Sequence, residues 1–175
     1  MSKKILAVIL SLSCLFLLGG CGGEKKQAEA TPKPAVQVAP EAVFTIDNVK
    51  AIVDYEPVQE PVEENTEKGT KQVWYHSEPL GKGDIVEVTV RQYSDSVAKE
   101  TVKAGYDQMK QKRPNAVQVD GVGEDAYIAY PSVHVYQEGY HIQITAGSGA
   151  DDVQKTVLTN AAQTAVQNLN TLLSK

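Results

Sequence analysis

Cysteine is almost missing from this chain: Cys14 and Cys21 are the only two. Past residue 21 there can be no disulfide, no thiolate nucleophile and no cysteine-ligated metal, so a hydrophobic core has to hold the rest together. Long apolar runs are missing too. The run Ile5 to Leu18 falls short of the roughly 20 residues that a membrane-spanning helix needs. Positive charge is in deficit, with 17 Lys and Arg against 22 Asp and Glu. A net acidic surface is repelled by polyanions and anionic lipid headgroups, so no nucleic-acid partner is expected. Histidine is scarce, and His76, His134 and His141 are the full set.

What is present begins with an ordered N-terminus. Lys3 and Lys4 precede the apolar run, and Leu18-Gly19-Gly20-Cys21 closes it. Charged, hydrophobic and small residues in that order form a secretory signal, expected over residues 1–20. The small residues before a cysteine resemble the lipobox of bacterial lipoproteins. That resemblance implies diacylglyceryl transfer to the Cys21 thiol, cleavage just before it, and acylation of the new N-terminus with a fatty acid such as palmitate. Losing Lys3 and Lys4 and no acid would move the formal charge from −5 to −7. Membrane attachment would then come from the lipid. Gly22 after the acylated cysteine, by resemblance to lipoprotein sorting, permits the outer membrane as well as the cell membrane.

Residues 21–40 mix Gly22, Gly23, Pro32, Pro34 and Pro40 with Glu, Lys, Gln and Ala and have no apolar period. They are expected to be a flexible tether, followed by a single domain over 41–175. Thr45 is placed to cap a short helix whose stripe is Ile46, Val49, Ile52 and Val53. The acid-rich stretch from Asp54 to Glu67 reads as a solvated loop, since it lacks the alternating acids and glycine turn of a calcium loop.

Two stretches align at an offset of 56 residues, Gly83 with Gly139, Val86 and Val88 with Ile142 and Ile144, and Val102 with Leu158. Each reads strand, strand, helix. In the first, Gln72 to Ser77 and Ile85 to Tyr93 are strands, and Ser94 or Ser96 caps a helix running to about Lys112. In the second, Val133 to Gln137 and Tyr140 to Ala146 form a hairpin around Glu138-Gly139, which sets Val135 opposite Ile142 and Tyr136 opposite His141. The last helix, begun by Asp151 and Asp152, carries an apolar stripe from Val153 to Leu173. Ala116 to Val119 and Asp125 to Tyr130 add short strands. The expected class is α+β: an antiparallel sheet built from two strand-strand-helix units, both helices packed on it, plus the short N-terminal helix.

Three motifs carry chemistry at first sight. Gly121-Val122-Gly123-Glu124-Asp125-Ala126 fits a dinucleotide fingerprint, but a strand follows it and its acids repel phosphate, so it reads as a tight turn. The same turn, before a hairpin and a final helix, resembles small secreted lipoprotein domains of the Mog1/PsbP-like type. That resemblance implies a non-catalytic accessory or binding role and carries over no functional residue. Ala146-Gly147-Ser148-Gly149-Ala150 sits between strand and helix like a nucleophile elbow, but lacks its outer glycines and has acids beside Ser148. The third is the histidine face. Strand parity puts His134, Tyr136, His141 and Gln143 on one side of the hairpin, with Tyr127 adjoining, away from Val133, Val135, Ile142 and Ile144.

That polar, aromatic face is the expected ligand or partner surface, with His76 a candidate neighbour. Two histidines alone make a weak metal site, so no metal and no cofactor are expected. Replacing both His134 and His141 by alanine should leave folding intact. The expected function is a lipid-anchored, extracytoplasmic accessory or binding domain of the cell envelope, with an envelope protein as partner. The competing reading is an envelope hydrolase or metal-dependent enzyme using Ser148 or His134 and His141.

Overall fold

The computed structural model describes residues 36–79, 85–95 and 97–175. The expected signal segment, Cys21, most of the tether, Gly83 and Ser96 lie outside the described residues. The first described residues are already packed. Val38 is buried in the main core and its amide donates to Gln92 Oε1 at 2.8 Å. The Tyr140 hydroxyl donates to the Val36 carbonyl at 2.7 Å. Packed chain therefore starts inside the stretch expected to be tether, because Val38 and Pro40 find apolar cover.

Two short helices follow, α1 (Pro40–Val43) and α2 (Ile46–Lys50). Thr45 caps α2 as expected. Its hydroxyl accepts from the Asn48 amide while Asn48 Oδ1 accepts from the Thr45 amide, so two otherwise unpaired donors are satisfied reciprocally. The acidic stretch is not all loop. It forms β1 (Val58–Gln59) and β2 (Glu63–Asn65), then a 3₁₀ turn, Thr66–Lys68. Both strands pair with the outer edge of β3 (Thr70–His76). An edge strand needs only backbone partners, and its solvated acids discourage further pairing. Hydropathy alternation gives no warning of such strands.

The remaining elements are β4 (Ile85–Gln92), α3 (Lys99–Gln111), β5 (Val117–Gln118), β6 (Asp125–Ala129), β7 (Ser132–Gln137), β8 (Tyr140–Ala146) and α4 (Asp152–Leu173). The fold is α+β, with one antiparallel sheet in the order β1-β3-β4-β8-β7-β6-β5 and β2 also on β3. Hairpin register is as anticipated: Val135 faces Ile142 and Tyr136 faces His141. Glu138 and Gly139 both have positive φ, 51° and 88°, the two-residue turn that matches strand twist. At the middle of the sheet Val88 pairs with Ile144, its counterpart at the 56-residue offset, so the central strands meet across a local twofold normal to the sheet.

The helices break that relation. α4 lays Leu158, Ala161, Ala162, Ala165 and Leu169 on the face formed by Val86, Val88, Val133, Val135, Ile142 and Ile144. α3 packs Val102 and Tyr106 on the other face, against Tyr127, Ala129 and Tyr136. The layers run helix, sheet, helix. The second face is aromatic enough to need cover, and α3 supplies it. Two differences concern helix ends. α3 starts at Lys99 with Ala98 at its cap and no side-chain capping bond, while Ser94 is used in a small bridge to Val97. Val153 is 73% exposed, so the buried stripe of α4 takes hold only from Val157.

Candidate functional site

Strand parity gathers the candidate side chains, and α3 then covers most of them. Tyr127, His134, Tyr136 and His141 are buried, and the expected open surface is corrected to an interlayer cluster. The physical reason lies in α3. Tyr106 projects from it onto the rings of Tyr127 and Tyr136, with centroids 5.4 and 5.7 Å away. Gln143 alone of the five stays half-buried, beyond the cover of the helix, where its amide donates to Thr145 Oγ1 at 3.2 Å. The Ser132 and Thr145 hydroxyls extend this ladder at 2.8 Å. The accessible part of the candidate surface thus narrows to the half-buried Gln143 and Thr145, with Ser132 buried beside them.

Inside the cluster His134 Nδ1 and His141 Nε2 stand 3.2 Å apart and share one proton. Diagonal placement on adjacent strands, His134 opposite Gln143 and His141 opposite Tyr136, produces this contact. His134 stacks on Tyr127, its cross-strand neighbour, with centroids at 4.6 Å and planes 13° apart. His141 meets the edge of Tyr106 at 5.2 Å. Burial, reinforced by Arg113, pushes His134 down to about 4. Burial, then His134 and Arg91, push His141 down to about 3. Both imidazoles are neutral at pH 7. His134 Nε2 and the Tyr127 hydroxyl are buried without a hydrogen-bond partner among the described residues, and the Tyr106 hydroxyl is turned toward Asp125 outside regular hydrogen-bond geometry.

The charges lie at the rim. Lys110 Nζ bonds both Asp125 carboxylate oxygens, at 2.9 and 2.8 Å, and Gln118 donates to the same carboxylate. Burial works to raise Asp125, but Gln118 and Lys110 hold it below the ordinary carboxylate range. Lys103 sits over the Tyr106 and Tyr136 rings at 5.7 and 5.3 Å. Sequence reasoning named the histidines and tyrosines and missed Tyr106, Arg91 and Arg113 as their neighbours. Arg91 stands opposite His141 in the β4–β8 pair, a register that the sequence reading did not give. Tyr106 reaches the cluster because α3 covers the face that strand parity presents as polar.

The other candidates are dispersed. His76 lies on β3, across β4 from His141, with Nε2 2.7 Å from Glu60 Oε1. Its partners, the Ser77 carbonyl and then Glu60, raise its pKa. Ser148 is exposed beyond the end of β8. His141, five residues before that end, is about 17 Å of strand away, so the two cannot form a nucleophile–base pair. The Gly121–Ala126 segment is a turn over 121–124 that leads into β6, with the Glu124 amide donating to the Tyr136 carbonyl at 3.0 Å. A surface depression of about 500 Å³ has Ile52, Ile85, Val86, Gly147 and Val157 in its lining, without Ser148 or a histidine. Among the described residues no three His, Cys, Asp or Glu side chains are grouped to hold a metal, and no helix is long and apolar enough to cross a membrane. Compared with family models, with curated proteins and with solved structures, the chain matches none.

Proposed function

We propose that this chain is a lipid-anchored accessory or binding domain of the cell envelope, working outside the cytoplasm without catalysis of its own. One observation carries the reading: Lys3 and Lys4, the apolar run and Leu18-Gly19-Gly20-Cys21 stand in the order that lipoprotein export and acylation use. Two further features support it. The chain is fastened to the domain at Val36 and Val38, which leaves about fifteen residues after Cys21 as tether. Such a tether reaches roughly 20 Å if it behaves as a flexible coil. Gln143 and Thr145 offer an amide and a hydroxyl group to an envelope protein, whereas the histidine cluster lies under α3.

The two strand-strand-helix units, β3-β4-α3 and β7-β8-α4, belong to this reading as the frame that leaves these two groups accessible. The Mog1/PsbP-like resemblance of the turn and final helix points to the same accessory class. The test is Cys21→Ser expressed in a bacterial host. A hydroxyl does not replace the thiolate in diacylglyceryl transfer, and one lipidated N-terminus is what holds the protein to the bilayer. The wild type is expected in the membrane fraction and the variant outside it. Equal membrane retention of both proteins would overturn the reading.

A further inference from the structure

We propose that His134 and His141 form an acid-sensitive latch under α3, whose protonation releases that helix from the sheet while the opposite face stays folded. The two facing nitrogens, 3.2 Å apart, hold one proton between them. A second proton puts hydrogens on both and turns the bond into a repulsion. The pair is sealed between the Tyr127 and Tyr106 rings, so water cannot screen the new charge while α3 is docked.

The groups facing the pair offer it no counter-charge. From β4 comes Arg91, opposite His141, and after α3 comes Arg113, which acts on His134. From α3 come Tyr106, and Lys103 over the Tyr106 and Tyr136 rings; Asp107 of that helix is paired with Lys103 at 2.5 Å. From β6 come Tyr127, and Asp125, whose carboxylate is held by Lys110 and Gln118. From β7 comes Tyr136. Asp107 and Asp125 are each paired with a lysine, and Glu100 and Glu124 act on the Tyr136 hydroxyl. Arg91 and Arg113 are the charges that act on the rings themselves, so an added proton meets repulsion in place.

Release can be local because the docking core of α3 is small and, among the described residues, meets the larger core only through the half-buried Tyr93. It comprises Val97, Val102 and Tyr106 against Tyr127, Ala129 and Tyr136, whereas α4 is held by a different and larger core. The direction follows from linkage. Both imidazoles sit below their ordinary value of about 6.5 when docked, so the released state binds more protons. Docking is fully stabilised above about pH 6.5 and weakens as pH falls toward 4, by up to roughly a hundredfold per pH unit for two protons.

Hydrogen–deuterium exchange on the full chain between pH 7 and 4.5, corrected for intrinsic rates, tests the latch. Protection of amides in α3 is expected to collapse by at least tenfold per pH unit below about 6, while amides of Leu158 to Leu169 keep theirs. The double variant His134→Gln with His141→Gln should show no such step. Should that variant fail to fold, Arg113→Gln, at an exposed position, replaces it. Removing that cation should shift the α3 step to lower pH without changing protection at pH 7. Loss of α3 and α4 protection together, no step above pH 4.5, or a step left in place by these variants would overturn the proposal.

Discussion

Tyr127 brings a phenol into a buried layer and leaves its hydroxyl unpaired among the described residues. Burial, above all, pushes that hydroxyl up to about 12, so it is neutral at any ordinary pH. A desolvated hydroxyl with no partner costs free energy that its ring does not recover. Tyr127→Phe keeps the stacking on His134 and removes the cost, and should raise stability by about 1 kcal/mol in urea unfolding at pH 7. A loss of similar size would show that the hydroxyl does hold a partner. Leu158, fully buried between α4 and the sheet, answers in the opposite direction, and Leu158→Ala should cost about 2 to 5 kcal/mol by the same assay. Replacing both histidines by alanine, expected to leave folding intact, should nonetheless lower stability because both rings are buried. Each fills volume in the interlayer cluster, and the double replacement leaves cavities there.

At the scale of elements, strands and helices with a strong period were legible and cover was not. The β7–β8 register followed from parity and a Glu-Gly turn, and α4 from its stripe, since each is written in local spacing. The side of the sheet that α3 takes depends on which face lacks cover. The strand sequence presented that face as polar because His, Gln and Tyr alternate with Val and Ile. The edge strands β1 and β2 were hidden for a related reason, as backbone pairing on an exposed edge leaves no mark in hydropathy. The turn before β6 makes a further prediction. Gly123 has φ of 61°, and a Cβ there would lie 2.8 Å from Val135 Cγ1 and 2.9 Å from the Tyr136 carbonyl oxygen. Gly123→Ala should therefore destabilise by at least about 1 to 2 kcal/mol, through left-handed strain and the close approach together. A denaturation midpoint equal to that of the wild type would mean that β7 and the turn are not in contact.

At the scale of the whole molecule, the described domain has two unequal cores, and the export signal proposed above precedes it in sequence. The larger core ties the first packed residues, Val38, Val43 and Phe44, to the sheet and α4. The smaller core lies under α3 on the other face. Under the latch proposed above, the α3 layer responds to acid while the α4 layer holds. The proposed function depends on the chain being attached at Cys21, and the mass of the N-terminal peptide from protein purified out of bacterial membranes tests that most directly. The account predicts a peptide starting at Cys21 and carrying a diacylglyceryl group on its sulfur, with none of residues 1–20. An unmodified cysteine, or a peptide that retains those residues, would contradict it.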